Sequence, residues 1–431
     1  MKNAIIAALT IAGLVAAAVF TFLALASGGE KEAARIFDSI EPQADFNRRY
    51  RPVAAKNASA ARLEELSAAV EIELRPHNKA PHPAVDGKAA ERERTISSWL
   101  RTQQERDDDS IDALPGDVEQ WLADRRAAID AVASHLVTAE APLWPLLQRH
   151  SRLDQPLPNL LGYMKLQRLL GVAALAAESQ GEHERAWRLQ HAAWRLTQAI
   201  QERPELISRL VAIGGLRSEA GSMRKLEPPV PTWVSEMSAL RLRGQMLDSV
   251  RYELETTHDA VTESPLDLFR SNSHEGLGER ARDVAMSPLL RWVAADMSVS
   301  TSRQMVTLSR MSPCSIDGKA AERNIQSDLS PLAQRFSGFM TPNLINAFVR
   351  AANTEIALEG TSKVLALKVA RDDAAGRWPD SLPRAGTSTC TGAEWAYENN
   401  PAAVPRLHFT GKVPEPPGFK GTRIPLDFMA R

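Results

Sequence analysis

Cysteine is almost absent from this chain, with Cys314 and Cys390 as its only two. Two are too few for a disulfide framework or for a cysteine-built structural zinc site. They allow one bridge, which fits an oxidising compartment, or else two separate buried thiols. An excess of charge of one sign is absent too. The 52 Lys and Arg face 53 Asp and Glu, for a formal net charge of -1. That removes the simplest case for nucleic-acid binding, which needs a basic excess. Linear catalytic signatures are missing as well. There is no Gly-x-Ser-x-Gly, no His-Glu-x-x-His, no phosphate-binding glycine loop and no dinucleotide fingerprint. No catalytic residue, metal or cofactor is therefore assigned, although catalytic groups often meet only in the fold.

What is present is a 431-residue chain with 44% apolar residues, long enough for two or three domains with proper cores. Its first feature is an uncharged apolar run of 23 residues, Ala4 to Ala26. As a helix this spans about 34 Å, enough to cross a hydrocarbon layer of ~30 Å. The alternative is a cleaved export signal. Ala24-Leu25-Ala26 has the small-x-small pattern of a cleavage site, and Lys2 supplies a basic residue before the run. Cleaved signals have apolar regions of only ~7–15 residues, so length favours an uncleaved single-pass anchor over residues 1–27. Lys2 on one side and Lys31 and Arg35 on the other leave the positive-inside rule nearly balanced. The very short tail before the run is the geometry of an export signal. The large domain is thus expected outside the cytoplasm, on the periplasmic side in a two-membrane bacterium.

The remainder reads as mainly α. Residues 28–56 are expected to be a polar stalk, 57–342 an antiparallel α-helical body, and 343–431 a long helix plus a small cap. Asn57 caps a helix that Pro76, Pro81 and Pro83 end. Further helices are expected at 86–106 and 116–140, the second with Val118, Leu122, Ile129, Val132 and Leu136 on one face. Leu157 to Gln180 forms one helix, closed by Gly181, and His183 to Gln201 the next. Ala186, Leu189, Ala193, Leu196 and Ile200 make its packing seam. Pro204 opens a third helix, and more follow at 232–258, 285–310 and 343–374. Ile345, Val349, Ala352 and Ile356 mark one stripe on the last, continued by Leu358, Leu365 and Val369. After Gly376 the composition shifts. The final 53 residues hold eight of the 27 prolines, and Trp395–Tyr397 and Arg406–Thr410 read as two strands of a Pro-rich cap.

Two local resemblances follow from these residues. Leu365 to Leu382, with Gly376, Trp378 and Pro379 closing an apolar helix ahead of a small β region, resembles the end of the long helix in pseudopilins of type II secretion. It is similar also to the C-terminal part of various bacterial envelope proteins. The resemblance implies a helix stop with a docked aromatic, and brings no active site. The N-terminal run lacks a pseudopilin's cleavage site and early glutamate. Gly181-Glu-His-Glu-Arg-Ala186, with Ala193, resembles a tetratricopeptide hairpin, of which one copy implies only a helix pair.

Few constellations could carry chemistry. Trp187, His191 and Trp194 share one helix stripe, which could be a binding groove or a second packing face. Counting both stripes, the apolar arc covers about 160°, which favours packing. His77, His82 and Asp86 match no zinc spacing. Asp107, Asp108, Asp109 and Asp112 lack the glycine and closing glutamate of a calcium loop and read as a solvated connector. Ser222 and Lys225 fit Ser-x-x-Lys, but the companion Lys-Thr-Gly is absent. The reading is a membrane-anchored, non-enzymatic binding or scaffold protein of the cell envelope, partnered with another envelope protein. The alternatives are an extracytoplasmic hydrolase of envelope polymers and an accessory of a secretion or pilus-like system. Cys314 and Cys390 are expected to pair, tying the cap to the body. Closing that 76-residue loop is worth ~4.5 kcal/mol in the chain-entropy model.

Overall fold

A computed structural model describes residues 2–75, 87–146, 157–263, 277–337, 341–383, 388–399, 404–414 and 425–429. Within these ranges the side chains of 2–16, 258–263, 277–286, 336–337 and 341–343 are left aside. His77, His82 and Asp86 lie outside the described residues. The described chain is mainly helical, with one small sheet near its C-terminus.

The apolar run does not stop at Ala26. It continues without a break into the polar segment as α1 (Lys2–Asp38), about 55 Å long. A turn leads to α2 (Gln43–Arg49), where Phe46 is wholly buried. The segment expected to be a stalk is therefore folded against the body. Arg251 explains much of this. It donates to Asp38 at 2.9 Å and to the Glu41 carbonyl at 2.7 Å, and its guanidinium lies 4.7 Å from the Phe46 ring centre.

Four helices come next: α3 (Ala58–Ala68), α4 (Gly87–Glu105), α5 (Gly116–Asp124) and α6 (Arg126–Thr138). Asn57 caps α3 through its side-chain oxygen, which accepts from Ala60 N at 2.9 Å. The single helix expected over 116–140 is broken at Arg125, yet Val118, Leu122, Ile129, Val132 and Leu136 are all buried.

The centre of the body is α7 (Leu160–Ser179), α8 (His183–Gln201) and α9 (Leu206–Met223). Gly181 takes φ +75°, and Glu182 N bonds back to Ala177 O at 2.9 Å. That left-handed step turns α7 into α8 in three residues. The expected seam of α8 is buried throughout. α7 has the length and apolarity to cross a membrane, but most of it is buried by α4, α8 and α9.

A break at 239–241 divides the helix expected over 232–258 into α10 (Val234–Ser238) and α11 (Leu242–Glu263). Then come α12 (Leu277–Arg310), α13 (Gly318–Asp328) and α14 (Pro331–Ser337). α12 runs alongside α1: Gly29 approaches Ala295, Glu30 pairs with Arg291 at 2.7 Å, and Phe22 meets Trp292 with centroids 5.5 Å apart.

The last helix, α15 (Thr341–Asp373), is packed on two sides. Ile345, Val349, Ala352, Leu358 and Leu365 join the body core. Ile356, Val364 and Leu367 join a second core with Trp395, Leu407 and Phe428 of the cap. Ile356 thus faces the cap rather than the body, and Val369 is exposed. The cap is an antiparallel sheet of β1 (Trp395–Glu398), β2 (Arg406–Phe409) and β3 (Asp427–Met429), in that order. Cys314 and Cys390 form a disulfide with Cα atoms 5.4 Å apart, within the normal range. Gly376 takes φ +89° and returns its N–H to Arg371 O at 2.9 Å, ending α15. The Arg371 guanidinium then lies 4.7 Å from the ring centre of Trp378.

Gly360 sets the distance between helix and sheet. A Cβ there would sit 2.3 Å from Cη2 of Trp395 and 3.1 Å from a guanidinium nitrogen of Arg224. The Gly360→Ala variant should therefore lose ~1–3 kcal/mol in denaturant titration, as overpacked interiors do, despite the better helix propensity of alanine. A gain in stability would show that Trp395 does not press on α15.

Candidate functional site

The residues singled out in the sequence have separate fates. Trp187 is buried and donates its indole N–H to the Glu227 carbonyl at 2.7 Å. The half-buried His191 ring lies flat against Trp233, with centroids 4.8 Å apart. Burial, then the charge of Arg195, lowers the pKa of its imidazole. These two residues form no open groove, because Trp233 and the 226–227 segment cover them. Trp194 is 1% exposed and lines a cavity of about 470 Å³.

Ser222 and Lys225 are both buried but face different partners. Ser222 Oγ donates to the Ser218 carbonyl and accepts from Gln104 Nε2, both at 3.0 Å. The Lys225 ammonium donates to the Asp108 carbonyl and lies 3.7 Å from its carboxylate. The geometry therefore shows no Ser–Lys couple.

The aspartate run is not a solvated connector. Asp108 is 3% exposed. Its carboxylate accepts from Ser110 Oγ at 2.7 Å and from Arg106 at 3.3 Å. Burial pushes its pKa up, but Ser110, Arg106 and Lys225 outweigh that and hold it below the usual range. Asp109 lies 3.8 Å from the fully buried ammonium of Lys368, which also donates to Glu227 Oε1 at 3.0 Å and to the Leu226 carbonyl at 3.2 Å. Arg371 pairs with the same Glu227. Next to them Arg224 donates to Thr361 Oγ1 at 2.9 Å, to the Ala357 carbonyl at 3.0 Å and to the Pro425 carbonyl. Burial lowers the pKa of Arg224 to about 9 and, outweighing Asp108, that of Lys225 to about 8. Every one of these cations has a partner, so the cluster works as a junction between α9, α15 and the cap. Among the described residues, no group of three His, Cys, Asp or Glu could hold a metal ion.

Two cavities among the described residues offer room for a ligand. The cavity beside Trp194 is lined by Arg49, Tyr50, Arg203 and Arg209. Its charges are largely matched. Arg49 pairs with Asp248 at 2.9 Å, and Arg203 pairs with Glu205. Tyr50 OH accepts from Arg209 at 2.8 Å and donates to Asp248 at 2.9 Å. Burial, first among its causes, pushes the Tyr50 phenol up to about 12.

The second cavity, of about 510 Å³, opens where α4, α7, α8, α9 and α15 converge. Leu100, Leu196, Ile200 and Ile213 give it apolar walls, while Arg101, Arg168, Arg217 and Arg350 give it four cationic groups. No Asp or Glu is among the described residues that line it. Behind Thr197 lies Glu219, wholly buried, with Thr197 Oγ1 donating to it. Sequence reasoning missed these arginines. They stand far apart in the chain and carry no motif. No protein-family model, curated protein or solved structure matches this chain.

Burial pushes the Glu219 carboxyl up to about 8, against the pull of Thr197 and Gln167. Between the unfolded value near 4.5 and about 8 the folded state keeps a proton that the unfolded state has lost. Stability should therefore fall as pH rises across that window, and level off above it. In Glu219→Gln this slope disappears. Its stability relative to the parent should grow from pH 5 to pH 8 in denaturant titrations. A difference independent of pH would show that Glu219 is ionised in the folded protein throughout.

Proposed function

We propose that this chain is a membrane-held, extracytoplasmic binding protein of the cell envelope, with α1 as its single-pass anchor. The observation that carries the reading is the exposure along α1. Phe20 is 74% exposed and Leu25 51%, whereas Ala26, Ala33 and Phe37, further along the same helix, are buried. An uncharged apolar run that leaves Phe20 and Leu25 uncovered, continued by a polar half in which Ala33 and Phe37 are covered, fits lipid on one part and protein on the other. Trp292 of α12 meets Phe22 near that change of surroundings, where an interfacial aromatic is favourable. The ion pair Glu30–Arg291 follows just beyond. The disulfide supports an oxidising compartment for the body.

Binding is favoured over hydrolysis by the cavities. Among its described lining residues neither has two carboxylates, the arrangement that envelope-polymer hydrolysis through paired carboxylates would need. The pseudopilin-like segment supports no assembly role by itself. Gly376 stops α15 and Trp378 packs against the cap core, which accounts for those residues within one chain.

Fractionation of the native source tests this reading. The protein should stay with the membrane pellet through an alkaline carbonate wash, keep residues 2–26 on N-terminal sequencing, and expose its body to protease added outside the cytoplasmic membrane. A soluble product that begins at Ser27 would overturn the anchor. Protection of the body from external protease would overturn the orientation.

A further inference from the structure

We propose that the cavity beside Trp194 binds an uncharged carboxamide, an amide head on an apolar body taken from the aqueous phase. The inference names the ligand class of the binding protein proposed above and rests on that reading of the chain as a binder.

An amide pair in the wall is the first argument. Gln201 of α8 is 5% exposed, and its Nε2 donates to Oε1 of Gln245 of α11 at 2.6 Å. Among the described residues nothing donates to Gln201 Oε1, and nothing accepts from Gln245 Nε2. Both residues line the cavity, and neither of these groups is shut off from it. A side chain buried as deeply as Gln201 is stabilised by a partner for its carbonyl. The pair leaves one acceptor and one donor open, which a carboxamide answers with its own N–H and C=O. The Trp194 indole N–H and the Arg209 Nε–H lack acceptors too, but both are closed off and offer a ligand no bond.

Charge and shape give the rest of the ligand. The arginines of the wall are answered from within the protein. Arg49 pairs with Asp248 at 2.9 Å, Arg203 pairs with Glu205, and Arg209 donates to Tyr50 OH at 2.8 Å within the fields of Asp248 and Glu205. Arg51 and Glu202, of opposite sign, are both exposed. A charged ligand would have to compete with these pairs, whereas an uncharged one leaves them intact. About 470 Å³ lies within the ~300–1,000 Å³ range of small-molecule sites. Trp144, Leu146, Trp194 and Ala199 are buried in the wall and offer apolar contact. Val53 and Leu146 exchange backbone hydrogen bonds of 2.8 and 2.9 Å, which fixes two segments of the wall before a ligand arrives. The exposed Arg51 and Glu202 mark a polar mouth, so the ligand enters from water rather than from lipid.

The full-length protein, kept in its native membranes, is exposed to three photoactivatable aryl diazirines that differ in one substituent: a carboxamide, a carboxylate or an ethyl group. Labelled residues are mapped by peptide mass spectrometry. The carboxamide should label peptides from residues 49–53, 143–146 and α8 saturably, and the other two roughly tenfold less. Gln201→Leu removes the amide and keeps most of the volume. It should lower carboxamide labelling roughly tenfold and leave labelling by the ethyl probe no weaker. Leu143→Trp carries the same test should that variant not fold. Leu143 lines the cavity and is 40% exposed, so a larger side chain there obstructs the space without disturbing buried packing. Carboxamide labelling unchanged in the folded variant would overturn the proposal. Labelling strongest with the carboxylate would overturn it too, by showing that the arginines take an anion. Equal labelling by carboxamide and ethyl probes would leave a binding cavity but remove the amide. No saturable labelling by any probe would remove the binding reading of this cavity as well.

Discussion

Three cations buried at the end of α9 and on α15 constrain the rest of the molecule. Arg224, Lys225 and Lys368 are each at most 4% exposed. A buried ion costs several kcal/mol unless it is paired and hydrogen-bonded. Their partners come from separate parts of the chain: Asp108 and Asp109 from the loop after α4, the Leu226 carbonyl and Glu227 after α9, Thr361 and Ala357 on α15, and Pro425 in the cap. Satisfying these cations therefore fixes the body, α15 and the sheet against one another. The Met429 N–H donates to the Asp107 carbonyl at 2.6 Å, so the loop that answers the lysines also borders the sheet. The disulfide adds a covalent tie on the same side of α15, since both cysteines belong to the cap core.

The sequence made the long helices legible because each carries its own periodicity and its own stop. α8 begins and ends as read, Gly181 turns the chain where a left-handed residue was expected, and the two cysteines meet. What the sequence hid depends on distant groups. Asp108 looks solvated among its neighbours and is buried only because Lys225, 117 positions later, comes to meet it. The breaks at Arg125 and at 239–241 leave the apolar faces in register, so periodicity alone could not show them. β3 has three residues, too few for an alternating pattern. α13 buries only Ala321 and Ile325, too sparse a stripe to stand out. The arginines of the cavity between α4, α7, α8, α9 and α15 stand at positions 101, 168, 217 and 350, and nothing local marks them.

Chemistry and placement also separate along the chain. The junction below α9 has a partner for each cation and serves packing. The cavity above it, on the same helix, gathers four arginines, with no carboxylate among its described lining residues. α9 thus ends in a satisfied charge cluster and passes, two turns earlier, along the wall of a cavity lined by arginines. On the proposed reading, α1 and α12 hold this body at the membrane from the side of α11.

The central claim is that body and cap form one cooperative unit locked by buried cations. Native-state hydrogen exchange of the disulfide-intact protein tests it most directly. The backbone amides of β2 and of α9 should open in the same global step, with equal free energies and equal denaturant dependence. Replacing Arg224 with Met should lower both together. Exchange of β2 through a separate low-energy opening, with α9 still protected, would contradict the account.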